Sequence, residues 1–288
     1  MSEGLSFCII SDFFVEDGYP WGIGGAALND EEIYKHLSKT NEVIKKKSEK
    51  LTLEEITSLK EKDFKFIVSN FFNLNKDVKE YIQENCDYLL YVHDYKFVDH
   101  TNPAVYDNFI VPKDELINVD FHLNSKRIIC QSELQKGIYD KNLSSEKITY
   151  NLSGNLWNES SFKVIKETVS KPKNGKVAVV KSLFPQKGTP EAIKLCINKR
   201  FDYDLIHNED PQSFLEELGQ FSALAFVPFT PETLSRVCVE SKMMGLEVYT
   251  TDLVGAAHEP WFNLKGQDLI SLMENKINDA HSAITTSF

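Results

Sequence analysis

The chain has 288 residues, 42% hydrophobic and 26% charged, with a formal net charge of −11. That length allows two domains of roughly 100–200 residues each, and no apolar run approaches the roughly 18 residues that a membrane span needs. The acidic excess excludes broad nonspecific binding to nucleic acid, which needs surplus Lys and Arg to neutralise phosphates. The stretch MSEGLSFCIISDFF has no basic region and no small-residue cleavage site, so a cytoplasmic protein is expected. Cys8, Cys86, Cys130, Cys196 and Cys238 form no CxxC pair and sit mostly in apolar segments. They read as buried thiols of a reducing compartment.

In chain order, short apolar runs alternate with helical patterns, the arrangement of βαβ units in parallel sheets. Strands are predicted over 5–11, 64–69, 87–93 and 126–132, with helices over 27–38, 76–85 and 133–141. The lysine-rich stretch 35–50 reads as a solvated helix face or loop, or else as a local basic groove around Lys45, Lys46 and Lys47. Residues 151–176, rich in Asn, Ser, Gly and Pro, read as a polar connection between domains. The pattern then restarts with strand 176–182, helix 189–200, strand 203–207, helix 211–220 and strand 222–229. A helix within 228–245, strand 246–251 and a last helix from about Gln267 to Ala280 complete it. The expected architecture is α/β: two Rossmann-like domains, 1–160 and 161–288, facing across a cleft, with the last helix able to pack back on the first.

Ligands of open α/β sheets bind outside the carboxyl ends of the strands, and five such points carry suggestive residues. In the loop 11–30, Gly22, Gly24 and Gly25 would let a backbone approach a phosphate or sugar at a helix N-terminus. This is not the GxGxxG fingerprint, because Ala27 takes the final glycine position. His93 and Asp94 end a buried strand and suit a sugar hydroxyl or acid–base work, with a structural histidine as the other reading. Lys187, closing VKSLFPQKG, is placed to meet a diphosphate as a point charge, or is simply exposed. Glu232 starts the next helix and Glu240 follows about two turns on. Val237, Cys238, Val239, Met243 and Met244 would bury that helix, so Glu240 needs a partner such as a ribose diol. A capping acid plus a surface acid is the alternative. Gly255, after the following strand, leaves room for a base or phosphate, or makes a turn.

The run ETLSRVCVESKMMGLEVYTTDLVG resembles the Glu-x7-Glu signature of retaining GT-B glycosyltransferases, with Glu232, Glu240, Gly245, Val248 and Gly255 at the matching positions. SLFPQKGTPEAIKL resembles that family's phosphate loop, Lys187 matching its lysine, and the glycine loop and His93 match its N-terminal features. The similarity spans residues 5 to about 262, and the compact layout of GGAALND, NLSGNLWN and ETLSRV looks most like bacteriophage-encoded members. The resemblance implies a GT-B fold and metal-free sugar transfer with retention, a nucleoside-diphosphate sugar being the donor substrate and no cofactor being needed. It places sugar hydroxyls on Glu232, the ribose diol on Glu240 and the phosphates on Lys187 and the amides of Thr233 and Leu234. Gly24, Gly25 and Gly255 belong to the donor site on the same basis. The family's loop arginine is Ser182 here, and the adjacent Lys181 offers a point charge without a bidentate fork. The phage-type resemblance implies as acceptor a hydroxymethylated base in phage DNA, which Lys45, Lys46 and Lys47 would meet, or else a glycan or small molecule. A sugar-nucleotide epimerase and an inactive nucleotide-sugar-binding module are the competing readings. The D-x-D of FDYD (201–204), the metal signature of the other glycosyltransferase fold, precedes a strand and reads as a solvated turn.

Overall fold

Continuous Val, Ile, Leu and Phe runs suit strands buried on both faces, which parallel sheets require. The computed structural model describes residues 5–18 and 24–288; Gly22 of the glycine loop lies outside them. The first half runs β1 (Ser6–Ser11), α1 (Gly25–Leu37), β2 (Glu42–Lys47), α2 (Leu53–Glu61), β3 (Lys65–Val68), α3 (Lys76–Asn85) and β4 (Tyr88–Tyr91). It continues with α4 (Val119–Leu123), β5 (Ile128–Cys130), α5 (Glu133–Leu143) and β6 (Thr149–Asn151). These strands form one parallel sheet in the order β2-β1-β3-β4-β5-β6. Side chains alternate between its faces: Cys8, Ile10, Phe66 and Leu90 pack under α2, α3 and α5, whereas Phe7, Ile9, Ile67 and Leu89 pack under α1.

The second half comprises α6 (Glu159–Val169), β7 (Val177–Val180), α7 (Thr189–Lys199), β8 (Tyr203–Ile206), α8 (Pro211–Leu218), β9 (Ala223–Ala225), α9 (Arg236–Met243), β10 (Glu247–Tyr249), α10 (Gly266–Glu274) and α11 (Lys276–Thr285). Its sheet is also parallel, in the order β10-β9-β7-β8. In both sheets the strand order reverses beside the first strand, at β1/β3 and at β7/β9. Loops leaving such a pair diverge and open a crevice. No helix among the described residues is long and apolar enough to cross a membrane.

Three expectations need correction. The stretch 35–50 contains an edge strand, β2, whose Lys45, Lys46 and Lys47 run alongside Ile9, Ile10 and Ser11. Three successive lysines conceal a strand in sequence, yet lysine is a residue that guards exposed sheet edges against pairing. The segment 151–176 is not a loose connection: Leu152, Leu156 and Trp157 are buried, and α6 occupies much of it. Asn158 caps α6 by accepting from the Ser161 amide at 2.7 Å, and Val164, Ile165 and Thr168 form its buried stripe. The expected boundary at 160/161 therefore falls inside a helix. The last helix is two: α10 packs on the second half and α11 crosses back onto α1, where His36 and His281 meet edge to face at 5.0 Å.

The halves are fastened by polar groups as well as by α11. Glu259, 4% exposed, accepts the Glu133 amide at the start of α5 at 2.7 Å and Asn151 Nδ2 at 3.3 Å, and also takes the Ser153 hydroxyl. Ser132 Oγ donates across the cleft to the Thr233 carbonyl at 2.5 Å.

His122 on α4 supplies a test of the first core. It is fully buried against the rings of Phe71, Phe97 and Tyr139. Nδ1 lies 2.7 Å from the Asn118 carbonyl, while Nε2 has no partner among the described residues. Burial pulls the imidazole from 6.5 down to about 4. The unfolded chain thus takes up a proton below pH 6.5 that the folded chain refuses. Stability present above that pH is lost as the pH falls to about 4, on the order of 3 kcal/mol from this residue. Thermal unfolding should show the midpoint falling across this window, and His122→Gln should flatten the fall. An unchanged slope in the variant would assign it to other groups.

Candidate functional site

Loops from the carboxyl ends of both sheets enclose a cleft of about 570 Å³. The second half contributes a wall through the loop after β7. Gly188 is left-handed there (φ +67°), and a Cβ on it would lie 1.6 Å from the Val227 carbonyl oxygen, so only glycine fits. The Phe229 amide bonds the Gln186 carbonyl at 2.8 Å, which ties this loop to the one after β9. Thr189 Oγ1 donates to the Val180 carbonyl and accepts from the Ser182 amide, and Ser182 Oγ accepts from the Phe184 amide. The outcome is a fixed position for Lys187, whose Nζ lies 2.7 Å from a Glu232 oxygen.

Glu232 is not at the start of a helix. Its amide donates to the Leu253 carbonyl at 2.7 Å and its carbonyl accepts from the Gly255 amide at 2.9 Å, a strand-like bridge to Val254. The helix α9 begins only at Arg236, after Ser235 in a left-handed conformation (φ 73°). The prolines and this turn delay the helix by a full turn, so Glu232 and Glu240 share no helix face. The carbonyl of Thr233 is spent on Ser132, and the buried Leu234 gives its carbonyl to the Ala256 amide. Both residues thus brace the cleft wall; their own amides bond to none of the described residues.

Glu240 sits on α9, 8% exposed at the cleft. Burying a carboxylate demands compensation, and the chain provides part of it. Trp157 Nε1 donates to Oε1 at 2.8 Å and Arg236 Nε lies 3.5 Å from the same oxygen, leaving Oε2 with no donor among the described residues. The Arg236 guanidinium stacks 4.6 Å over the Trp157 ring and donates to the Leu156 carbonyl. Sequence reasoning passed over both Arg236 and Trp157. The signal for Arg236 was its place four residues before Glu240, one helical turn away; a lone tryptophan in a polar segment offered none.

His93 is held at both ring nitrogens. Gln131 Nε2 lies 2.9 Å from Nδ1 and donates also to the Val92 carbonyl at 3.0 Å. Nδ1 is therefore the acceptor and Nε2 carries the proton, directed at Asp30 at 3.0 Å. Asp30 is fully buried and also takes the hydroxyls of Ser11 (3.1 Å) and Ser69 (2.5 Å). Both ring nitrogens of His93, expected to meet a sugar hydroxyl or do acid–base work, are thus engaged in a network at the floor of the cleft. Asp94 pairs with Lys96.

The remaining candidates divide. Ser182 lines the cleft, whereas the exposed Lys181, just beyond β7, is not among its lining residues. Gly24 and Gly25 do line it, and a Cβ on Gly25 would lie 2.8 Å from Arg236 Cδ. Gly255 makes room for no ligand: a Cβ there would meet the Thr233 carbonyl oxygen at 2.3 Å and Ser132 Oγ at 2.4 Å. Lys45 pairs with Glu16 and Glu31, Lys46 with Glu55, and Lys47 with Asp17 and Glu49. The expected basic groove is thus neutralised. Asp204 in the D-x-D pairs with Lys176 at 3.0 Å on the edge strand β8. Burial pushes the thiols of Cys8 and Cys238 up to about 12 and that of Cys86 to about 11, which removes them as nucleophiles near neutrality.

No protein-family model matches the chain, and no curated protein matches it in sequence. Solved structures match over almost its whole length. Anabaena Alr3699/HepE, in complex with UDP and glucose, superposes with a TM-score of 0.54 at 12% identity, covering 98% of this chain and 92% of that one. The lipopolysaccharide outer core galactosyltransferase WaaB, apo form, gives 0.55 at 11% identity, covering 99% and 100%. An α,α-trehalose-phosphate synthase (UDP-forming) from Burkholderia xenovorans, in complex with glucose-6-phosphate, gives 0.52 at 9%, covering 97% and 92%. Likeness at these identities defines the fold: α/β, of the GT-B type.

The two glycines discriminate between packing and open space. Gly255→Ala should cost about 1–3 kcal/mol in urea unfolding, because overpacking at the junction strains both halves. Gly24→Ala, with nothing within 4 Å of the added methyl, should cost less than about 1 kcal/mol. Equal effects would mean that the Ser132–Thr233 contact yields freely.

Proposed function

We propose that the chain is a glycosyltransferase that moves a sugar from a nucleoside-diphosphate sugar to a hydroxyl acceptor. The observation that carries this reading is the Lys187–Glu232 pair, 2.7 Å apart where the loops of the β7/β9 switch point meet the first half. Glu240, one of whose oxygens has no donor among the described residues, lies along the same cleft. The Anabaena protein, of the same fold, is described in complex with UDP and glucose, which supports a nucleotide sugar as donor.

In this reading the ribose diol bonds the free Oε2 of Glu240. Lys187 leaves Glu232 for the diphosphate, and Glu232 then accepts a hydroxyl of the transferred sugar. The bond from the anomeric carbon to the diphosphate oxygen breaks, and its electron pair stays with the diphosphate. A new bond forms from the anomeric carbon to the acceptor oxygen, and the acceptor's proton passes to the departing phosphate. Lys187 meets charge that grows as the bond breaks, so its benefit is largest in the transition state. Retention of configuration and independence from metal ions rest on the Glu-x7-Glu resemblance. A DNA acceptor rests on the likeness of GGAALND, NLSGNLWN and ETLSRV to phage-encoded enzymes; its charge argument drew on Lys45, Lys46 and Lys47, each of which is paired with an acid.

Calorimetry with UDP, GDP and ADP should find one nucleotide that binds. Glu240→Gln should weaken it by about 1–3 kcal/mol, the cost of a lost charged hydrogen bond. Lys187→Ala should lower kcat more than it raises the donor KM, and turnover should persist in chelator. NMR of the product should show the donor's anomeric configuration; an inverted product rejects the retaining assignment. Donor conversion without any acceptor, yielding an epimerised sugar, would favour the epimerase reading instead.

A further inference from the structure

Among the described residues each sheet ends in two edge strands, and three of the four edges are occupied by polar or charged contacts. β2 carries Lys45, Lys46 and Lys47, each paired with an acid. On β6, Tyr150 lies under the Arg127 guanidinium and Asn151 bonds Glu133 and Glu259. On β10, Glu247 is held by Lys265, just before α10. β8 differs. It pairs with β7 alone, its Asp204 meets Lys176 on one face, and on the other face Leu205 stands 46% exposed. A strand edge with an exposed apolar centre is a template for another strand. We propose that β8 is a dimer interface, pairing antiparallel with β8 of a second copy about a two-fold axis at Leu205.

Backbone polarity selects the register. The carbonyls of Asp202 and Ile206 accept from the amides of Val177 and Lys181, so these residues turn toward β7. Backbone groups of successive residues point to opposite edges of a strand, so Tyr203, Leu205 and His207 turn N–H and C=O outward. Outward residues must oppose outward residues. With Asp204 opposite its copy, two carboxylates would meet in a close pair, about 4.5 Å between Cα atoms, which repels. With Ile206 opposite its copy, Tyr203 would oppose Glu209, beyond the strand. With Leu205 opposite its copy, the central pair and the two Tyr203–His207 pairs each exchange hydrogen bonds both ways. That register alone uses every outward group from 203 to 207.

Charge points to a second copy as the partner. The segment 199–210 opens with Lys199 and Arg200 and closes with Glu209 and Asp210. Antiparallel pairing of the segment with itself brings the basic end of each copy toward the acidic end of the other. Together with Lys176 and Lys181 at the two ends of β7, the segment carries four cations and four acids, in a chain whose net charge is −11. Copies therefore approach here without the repulsion that the acidic remainder imposes. Leu205 sits beside Val179 in the ladder, on the face covered by α7, and α7 adds Ile197, 61% exposed, to the apolar area. Asn208 and Glu209, which follow directly, line the cleft, so the joined edge borders the cleft of each copy.

Sedimentation velocity on the intact chain, between about 1 μM and 1 mM, should show monomer giving way to one species of twice the mass. Leu205→Pro removes an outward amide and spares the ladder to β7, so the variant should keep the parent's circular dichroism and remain monomeric. Leu205→Lys gives a second reading that strains no backbone. It sets like charges opposite each other and should raise the dimer Kd at least about ten-fold. Leu205→Cys should form a disulfide-linked dimer on mild oxidation, because a hydrogen-bonded antiparallel pair lies about 5.5 Å apart at Cα, within disulfide reach. Asp204→Cys, on the other face and not opposite its copy, should not. The parent, whose cysteines are buried or half-buried, is the control. A parent that stays monomeric throughout, or that builds ever larger species, overturns the proposal. So does parental dimerisation of Leu205→Lys, or cross-linking through Asp204→Cys in place of Leu205→Cys.

Discussion

The Glu259 carboxylate is the point on which the arrangement of the two halves turns. It lies beyond the last strand of the second sheet, yet its donors come from the first half: the amide opening α5, an asparagine at the end of β6 and a serine just after it. A carboxylate at a helix N-terminus meets amides that the helix itself cannot satisfy, together with the positive end of its dipole. Once Glu259 is held, the segment before it is held too, and that segment bridges Glu232. The geometry of the cleft wall in the second half is thereby referenced to the frame of the first.

The same economy governs the cleft. Each acid expected to meet a ligand already has a partner within the chain: Glu232 has Lys187, and Glu240 has Trp157 and Arg236. Burying such groups unpaired would cost several kcal/mol each. A ligand must therefore exchange with an existing interaction or use an atom left over, and both situations occur. Lys187 can be traded from carboxylate to phosphate, since a lysine reorients easily on its flexible stem. Glu240 needs no trade, because its Oε2 has no donor among the described residues. Arg236 is more constrained, being stacked on Trp157 and fastened to the Leu156 carbonyl. It serves chiefly to hold α9 against the crossover between the halves.

Much of this was legible from residue order. The apolar runs ending at Ser11, Val68, Tyr91 and Cys130 became parallel strands because a run of that length and composition has no other way to bury both faces. Loop residues after those runs then had to lie at the carboxyl ends, which is why Lys187, Glu232 and His93 all came to the cleft. Local rules failed where tertiary contacts overrode them. Three lysines hid β2, because the acids that neutralise them come from elements elsewhere in the chain. Polar composition hid the buried crossover, because Leu156 and Trp157 count for more in packing than the asparagines around them do in average hydropathy.

The sequence by itself determined the alternation of strands and helices, the two parallel sheets and the identity of the acids and lysine at their ends. All of these follow from periodicity and from short-range backbone geometry, which are properties of neighbouring residues. Only the tertiary structure decided what those side chains touch. Gly255 packs against Thr233 and Ser132 at the contact between the halves, His93 is held by Asp30 and Gln131, and the Tyr95 hydroxyl has no partner among the described residues. Each depends on atoms brought together from distant parts of the chain, where a displacement of one ångström makes or removes a hydrogen bond, and no local pattern records that distance.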